Sequence, residues 1–178
     1  MNLNALKSKV EKYIQVKQNT FDYRDQWKSE TKDLITNTLQ KVIDETDLEA
    51  EIEVKDSVEH LEVIIMNLGR MKSGIREKLD GDESRSVVRN NGMLVYQQLF
   101  NGKIVVLAVQ PFLEGYGEPQ QPKSVEIVRP KELNEGFIVR HVEEFLKDLI
   151  AWEDYDDDQP VGKHPIGFST NFVAEDEA

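Results

Sequence analysis

The hydrophobic pattern is clearest in the middle of the chain, where two mostly apolar runs, 93–100 and 103–110, flank Asn101-Gly102. Asn-Gly between strand-like runs is a strong hairpin signal, because a type I′ turn requires positive φ at both central residues. The pattern therefore predicts a central β-hairpin over 93–110 with a two-residue loop. Such a loop fixes which residues share a face. One predicted face carries Leu94, Tyr96, Gln98 and Phe100 with Lys103, Val105, Leu107 and Val109.

The other predicted face of this hairpin is also mostly apolar. An antiparallel hairpin with one face in water would alternate apolar and polar residues, and this one does not. We therefore expect other parts of the structure to cover both sides. The residues of this second face are Met93, Val95, Gln97 and Leu99 with Ile104, Val106, Ala108 and Gln110.

Helical periodicity dominates the N-terminal segment, about 2–46, which contains no proline or glycine. The apolar phase shifts near Asn19, and Thr20 has a side chain suited to an N-cap. We expect two helices, or one long helix interrupted near Asn19. A coiled-coil arm is the alternative, although fewer than four clean heptads are present. Apolar residues spaced by three and four carry this pattern: Leu3, Leu6, Val10, Tyr13 and Ile14, then Trp27, Leu34, Ile35, Leu39, Val42 and Ile43.

Alternating patterns predict further strands on both sides of the hairpin. Residues 48–55 alternate between apolar and charged, which is typical of an edge strand with one face in water. Residues 60–67 are more apolar, so we expect them nearer the centre of the sheet. Residues 84–89 are expected to pair with 93–100, and a short strand is expected at 125–127.

A second helical region is predicted from about 134 to 153, with Asn134 as its N-cap. A helical segment, about four to six antiparallel strands and a final helix indicate an α+β fold. We expect a single domain over 1–158 and a tail, 159–178, that is either disordered or docked on the domain. If both helical regions pack on one face of the sheet, the other apolar face needs a partner, which favours a homodimer.

Composition narrows the functional classes. The chain has 178 residues, with 22 basic and 34 acidic side chains and a formal net charge of −12. This excess of acid argues against nucleic-acid or anionic-membrane partners, which require compensating positive charge. The chain has no cysteine, which excludes disulfides, thiolate metal sites and cysteine nucleophiles. No apolar run is long enough to cross a bilayer and no signal-peptide pattern begins the chain, so we expect a cytoplasmic protein.

The best ligand candidate is the glycine-rich basic stretch 69–76, which contains Arg70, Lys72 and Arg76. Glycines let backbone N–H groups approach an anion, and these cations complement phosphate or carboxylate. Ile75 stands where a P-loop requires lysine, so the stretch is not a P-loop. The alternative is a surface loop whose cations offset nearby acidic groups.

Tyr96 and Gln98 form a second candidate, because they share one predicted face of the apolar hairpin. A buried amide must find hydrogen-bond partners, and a small polar ligand would supply them. The alternative is that the amide bonds to helix side chains or to the backbone. The sequence contains no zincin spacing and no nucleophile elbow, so it indicates no catalytic residue, no metal site and no cofactor.

These patterns predict a small cytoplasmic protein that binds another protein rather than catalysing a reaction. We expect an adaptor or chaperone-like module that forms a homodimer. One alternative is a protein that binds a small anionic metabolite at the basic stretch beside Tyr96 and Gln98. Another is an enzyme with a carboxylate and histidine site, for which His141 is the candidate.

Overall fold

The computed structural model describes residues 3–78, 84–116 and 119–154. The chain begins with α1 (Asn4–Gln26), a π-helical turn (Trp27–Thr31) and α2 (Lys32–Thr46). The strands after them are β1 (Glu51–Lys55), β2 (Val63–Asn67), β3 (Arg70–Lys78), β4 (Ser84–Asn90), β5 (Met93–Gln98), β6 (Ile104–Val109), β7 (Phe112–Leu113) and β8 (Lys123–Val128). A 3₁₀ turn (Pro130–Glu132) leads to α3 (Glu135–Glu153). The predicted tail, 159–178, lies outside the described residues.

The strands form two antiparallel sheets, which confirms the predicted α+β class. One sheet has five strands in the order β1-β2-β5-β6-β8, and the other has three in the order β3-β4-β7. As predicted, β1 lies at an edge and β2 lies beside the central hairpin. The expected pairing of 84–89 with 93–100 is wrong, because β4 pairs with β3 and β7. Short interruptions at 68–69 and 91–92 separate the two sheets, and the Asn91 N–H donates to the Gly69 carbonyl there.

The central hairpin is present, but its register differs by one residue from the prediction. Tyr96 lies opposite Val106. The Leu99 N–H donates to the Lys103 carbonyl, so the loop has three residues, and its last, Gly102, has a φ of 76°. A three-residue loop with glycine in the left-handed position is a common hairpin form. Because of this shift, each residue of β5 shares a face with residues of β6 that were predicted to lie on the other face. The face that forms the core carries Leu94, Tyr96, Gln98, Ile104, Val106 and Ala108.

The hydrophobic core lies between this face and the helices. The π-helical turn, α2 and α3 all contribute to it, so both terminal helical regions pack on the same side of the five-stranded sheet. The opposite face of the sheet contains three buried apolar residues, Ile65, Val95 and Val105, that are not part of this cluster. The helical members of the core are Trp27, Ile35, Leu39, Ile138, Val142, Phe145 and Leu149.

The N-terminal helical segment runs without interruption through Asn19, so the predicted break there is wrong. Thr20 does not cap a helix, because its hydroxyl donates to the Val16 carbonyl one turn earlier. The irregularity lies instead at the π-helical turn, where the Thr31 hydroxyl donates to the carbonyl of Gln26. A π turn inserts one residue into the helical repeat and shifts the apolar phase of the helix on its C-terminal side. None of the described helices combines the length and the apolarity needed to span a bilayer.

α3 begins where the sequence predicts. The side chain of Asn134 accepts a hydrogen bond from the Phe137 N–H and caps the helix. The 3₁₀ turn before α3 contacts the π-helical turn before α2, so the two helices begin side by side, and they pack against each other. Since α1 precedes the π-helical turn in one continuous helical segment, it extends from that point in the direction away from α3.

Candidate functional site

The clearest unpartnered surface is on α1. This helix has 23 residues and none of them is buried. A helix of this length normally buries one apolar side against its own domain, which supplies most of its stability. We call residues 3–21 the arm. Seven large apolar side chains of the arm are exposed: Leu3, Leu6, Val10, Tyr13, Ile14, Val16 and Phe21.

The arm is basic as well as apolar. It carries four lysines and one glutamate, a formal charge of +3, in a chain whose net charge is −12. Steps of three and four residues place several side chains on one side of the helix, which we call the arm stripe: Leu6, Val10, Tyr13, Lys17 and Phe21. A stripe of this chemistry complements an apolar surface that carries acidic groups.

The base of the arm is fixed by the turn of the central hairpin. The Arg24 guanidinium donates to the Phe100 carbonyl at 2.8 Å. A β-carbon added at Gly102 would lie 2.7 Å from the β-carbon of Tyr23 and 2.9 Å from the carbonyl oxygen of Thr20, so the helix approaches more closely than any side chain allows. A groove of about 190 Å³ runs along this junction and is lined by Val16, Asn19, Thr20, Tyr23, Asn101, Lys103 and Arg129.

A buried polar cluster fixes the point where α1 meets the body. The Trp27 indole donates to the Glu62 carboxylate at 3.1 Å, and the Lys32 ammonium donates to the same oxygen at 2.8 Å. Burial by itself raises the pKa of Glu62, but the hydrogen bonds from Lys32 and Trp27 outweigh it and hold that pKa below its ordinary value. The Gln98 N–H donates to the Glu62 carbonyl, which joins the cluster to β5.

The structure places Tyr96 and Gln98 on β5, inside the core, and both are almost completely buried. The Tyr96 hydroxyl lies 3.2 Å from Nδ1 of His141. Burial raises the pKa of the Tyr96 phenol. The side-chain amide of Gln98 has no hydrogen-bond partner at either its oxygen or its nitrogen. The alternative interpretation, in which this amide bonds to helix side chains or to the backbone, is therefore not supported.

The predicted basic residues lie elsewhere, on β3. Arg70, Lys72, Arg76 and Lys78 are exposed and form one row. The register shifts between Lys72 and Arg76, but all four lie opposite alternate residues of β4, so they share a face. Arg70 lies 3.3 Å from the Glu114 carboxylate. β3 belongs to the three-stranded sheet, whereas the buried pair lies in the five-stranded sheet. The structure therefore does not bring the two halves of the expected ligand site together.

The sequence singled out His141 as a candidate histidine but did not indicate its partners, which the structure shows to form a network around it. Its ring is fully buried, and Nε2 lies 3.0 Å from the Glu126 carboxylate, to which Arg140 also donates at 2.6 Å. Since a carboxylate only accepts, we assign the proton to Nε2, so Nδ1 accepts from the Tyr96 hydroxyl. The partners come from β5, β8 and α3, and no local sequence motif joins them.

A hydroxyl, an imidazole and a carboxylate in line are the components of a nucleophilic site. Here the hydroxyl belongs to Tyr96, which is completely buried, and both nitrogens of His141 are occupied by protein partners. The network therefore joins α3 to the sheet. Among the described residues, no group of three or more histidine, aspartate or glutamate side chains is positioned to hold a metal ion.

A scan against protein-family models found no match, and neither a search of curated proteins nor a search of solved structures found a similar protein. Function is therefore inferred from the surfaces of the chain itself.

Proposed function

We propose that this chain is a non-catalytic protein-interaction module, of the adaptor or chaperone-like type, that acts in the cytoplasm as a homodimer and binds through the arm. One observation carries this proposal: a helix of 23 residues has no buried residue, yet it presents seven exposed large apolar side chains in the arm. Large exposed apolar surfaces mark sites of interaction. An amphipathic helix that lies in an apolar groove is a common mode of protein recognition.

The energetics of the arm support the same proposal. A helix without tertiary packing is only marginally stable in water. Burying one large apolar side chain contributes roughly 1.5–3 kcal/mol. Burying the apolar side chains at the centre of the arm stripe in a complex therefore outweighs a substantial loss of conformational entropy in the arm. Binding therefore stabilises the arm itself as well as the complex.

The test is the solution mass of the full chain, measured by light scattering on a sizing column across a dilution series. We expect a dimer at micromolar concentration and a monomer for the variant Leu6→Glu/Val10→Glu. The matched control, Ser8→Glu/Gln15→Glu, adds the same charge on the polar side of the arm and should remain dimeric. A wild-type chain that is monomeric throughout the series would contradict the homodimer, and a stripe variant that stays dimeric would contradict the role of the arm.

A second candidate function is the binding of a small anion, and the row of cations on β3 favours it. Arg70, Lys72, Arg76 and Lys78 are exposed on one face of that strand. A thermal-shift screen of phosphates, nucleotides and carboxylates tests it, since a ligand at 100 times Kd adds about 2.7 kcal/mol of stability. A genuine hit should disappear in Arg70→Ala/Lys72→Ala and persist in the control Lys131→Ala. A screen without hits would reject this function.

The expected enzyme with a carboxylate and histidine site is not proposed. The geometry of His141 favours a structural role, because its ring nitrogens face Tyr96 and Glu126 inside the core.

A further inference from the structure

Beside the side that packs in the core, α3 carries a second, mostly apolar line of residues, which we call the α3 stripe: Val139, Glu143, Leu146 and Ile150. Ile150 is 64% exposed and Val139 is 39% exposed, while Leu146 is half-buried. The intervals of four, three and four residues keep these side chains on one side of the helix. An apolar side of a helix that faces solvent is incomplete in the isolated chain.

The arm stripe and the α3 stripe match when the two helices run antiparallel. Val10 then lies opposite Ile150, and Tyr13 lies opposite Leu146. Further along, Lys17 lies opposite Glu143, and Phe21 lies opposite Val139. From Val10 to Phe21 the arm stripe spans the same number of residues as the α3 stripe, which is about 16 Å of helix. Three pairs are apolar, and the fourth joins opposite charges at the one charged position of each stripe.

The net charges of the two helices are also complementary. The arm has four basic residues and one acidic residue, whereas α3 has five acidic residues and two basic ones. Two arms packed against each other would bring like charges together, while the arm and α3 attract. The charge distribution therefore favours pairing of unlike helices over pairing of two arms.

The arm cannot reach α3 of its own chain. α2 and α3 begin side by side at the contact between the π-helical turn and the 3₁₀ turn. α1 leaves this point in the opposite direction, so its stripe lies beyond the N-terminal end of α3. An α3 stripe that packs on the arm must therefore belong to another molecule, and a second copy of this chain supplies it.

We propose that two copies exchange arms, so that the arm of each packs antiparallel on α3 of the other. Within one chain α1 and α3 run in the same general direction, and a two-fold axis perpendicular to them makes the arm of one copy antiparallel to α3 of the next. The interface is isologous, because the same two contacts form twice: the arm stripe of each copy packs on the α3 stripe of the other. No stripe is left free to bind a third copy. This inference rests on the proposed function, because it names the partner of the arm.

Cysteine cross-linking tests the pairing directly, since the chain has no cysteine of its own. We would prepare Val10→Cys and Ile150→Cys separately, mix them and oxidise mildly. We expect a covalent dimer in the mixture and none from either variant alone, because a disulfide requires β-carbons about 4 Å apart. Ser8→Cys mixed with Ile150→Cys is the control and should not cross-link. Self-cross-linking of Val10→Cys alone would show pairing of two arms and overturn the proposal.

Charge reversal gives an independent readout that leaves the apolar contacts in place. Lys17→Glu and Glu143→Lys should each weaken the dimer by about tenfold or more, because each places like charges together at both contacts. An equal mixture of the two variants should recover the wild-type affinity, since its heterodimer has opposite charges at both contacts. We would measure the dissociation constants by light scattering and dilution.

The possible failures separate the two proposals. If Leu6→Glu/Val10→Glu dissociates the dimer but Glu143→Lys does not, the arm binds a different surface and the exchange with α3 is wrong. If the mixture of charge variants stays as weak as its components, Lys17 and Glu143 do not meet and the pairing is again overturned. If the wild-type chain is a monomer, both the homodimer and the arm exchange are rejected.

Discussion

The indole Nε1 of Trp27 donates a 3.1 Å hydrogen bond to the carboxylate of Glu62, which lies 35 residues further along the chain. This bond joins the π-helical turn to the segment that precedes β2. Glu62 is only 8% exposed, and its second donor is Lys32 at the start of α2. Because α1 leaves the body at this turn, the contact holds the arm in its direction.

We predict that Glu62→Gln destabilises the protein by about 1–3 kcal/mol, because the partly buried Lys32 ammonium loses its carboxylate partner at 2.8 Å and keeps only Asp56 at 3.8 Å. Urea unfolding monitored by tryptophan fluorescence measures the free energy of unfolding. The control is Glu30→Gln, which removes an exposed carboxylate from the same helical segment and should change that free energy by less than about 0.5 kcal/mol. Equal effects of the two variants would contradict a structural role for Glu62.

Glu62 also predicts a pH dependence. The pKa of this carboxyl is lower in the folded chain than its ordinary value of 4.5. Its stabilising contribution is therefore complete above pH 4.5 and is lost as the pH falls from there through the folded-state pKa. We expect the acid loss of stability to be shallower in Glu62→Gln than in the wild type. Denaturation curves from pH 7 downwards test this, and parallel profiles would refute it.

Gly102→Ala is expected to lower the free energy of unfolding by more than the penalty for a side chain at positive φ alone. Its φ of 76° disfavours any side chain, and the added β-carbon would meet Tyr23 and the Thr20 carbonyl. Gly69→Ala is the matched control, since its φ is 72° and nothing lies within 4 Å of the added carbon. We expect about 1–2 kcal/mol for the control and a larger loss for Gly102→Ala in chemical denaturation. Equal losses of stability in the two variants would show that α1 moves away from the added β-carbon without an energetic cost.

The hydrogen bond between Tyr96 and His141 is expected to be cooperative. Tyr96→Phe and His141→Phe should each cost about 1–3 kcal/mol, because each leaves the other group buried without its partner. The double variant should cost less than the sum of the two, since neither polar group then remains. A double-mutant cycle from urea unfolding measures the coupling. Strict additivity would mean that the two side chains do not interact.

The buried phenol of Tyr96 also leads us to predict how stability changes at alkaline pH. Its folded-state pKa lies above the ordinary 10.0, so its contribution to stability is complete below pH 10.0 and is lost as the pH rises further. Tyr96→Phe should therefore lose less stability than the wild type between pH 9 and pH 11. Parallel alkaline profiles of the wild type and Tyr96→Phe would contradict this prediction.

For the N-cap of α3 we can predict both the direction and the approximate size of a stability change. Asn134→Ala should cost about 1 kcal/mol, because the Phe137 N–H loses its acceptor. Asn134→Ser keeps an acceptor and should be nearly neutral. Thermal unfolding followed by circular dichroism compares the two. A neutral alanine variant would show that water replaces the cap at no cost.

Local patterns by themselves predicted the helices and most of the strands, but they did not predict β3, which contains most of the glycine-rich stretch 69–76. Asn134 predicts the start of α3 because a cap satisfies backbone groups within one turn. The alternation over 48–55 predicts an edge strand because period two leaves one face to water. The spacing of apolar residues in the arm, with its lysines between them, predicts an amphipathic helix for the same local reason.

Only the tertiary structure decided the register of the hairpin. Asn101-Gly102 is compatible with a two-residue loop and with the three-residue loop that forms, because Gly102 adopts positive φ in both. The choice depends on packing: α1 approaches Gly102 through Tyr23, and the observed register buries Tyr96 opposite Val106 in a single core face. A turn motif carries no information about a helix that reaches it from about 80 residues away.

The tertiary structure likewise decided what the polar residues do. Tyr96, Glu126 and His141 are separated by 15 to 45 residues and meet only because β5, β8 and α3 share one core. The basic row of β3 is separate from that core because β3 belongs to the second, three-stranded sheet. Sequence periodicity shows which side of a helix or strand is apolar and which is polar. Contacts between segments that are distant in sequence depend on how the whole chain packs.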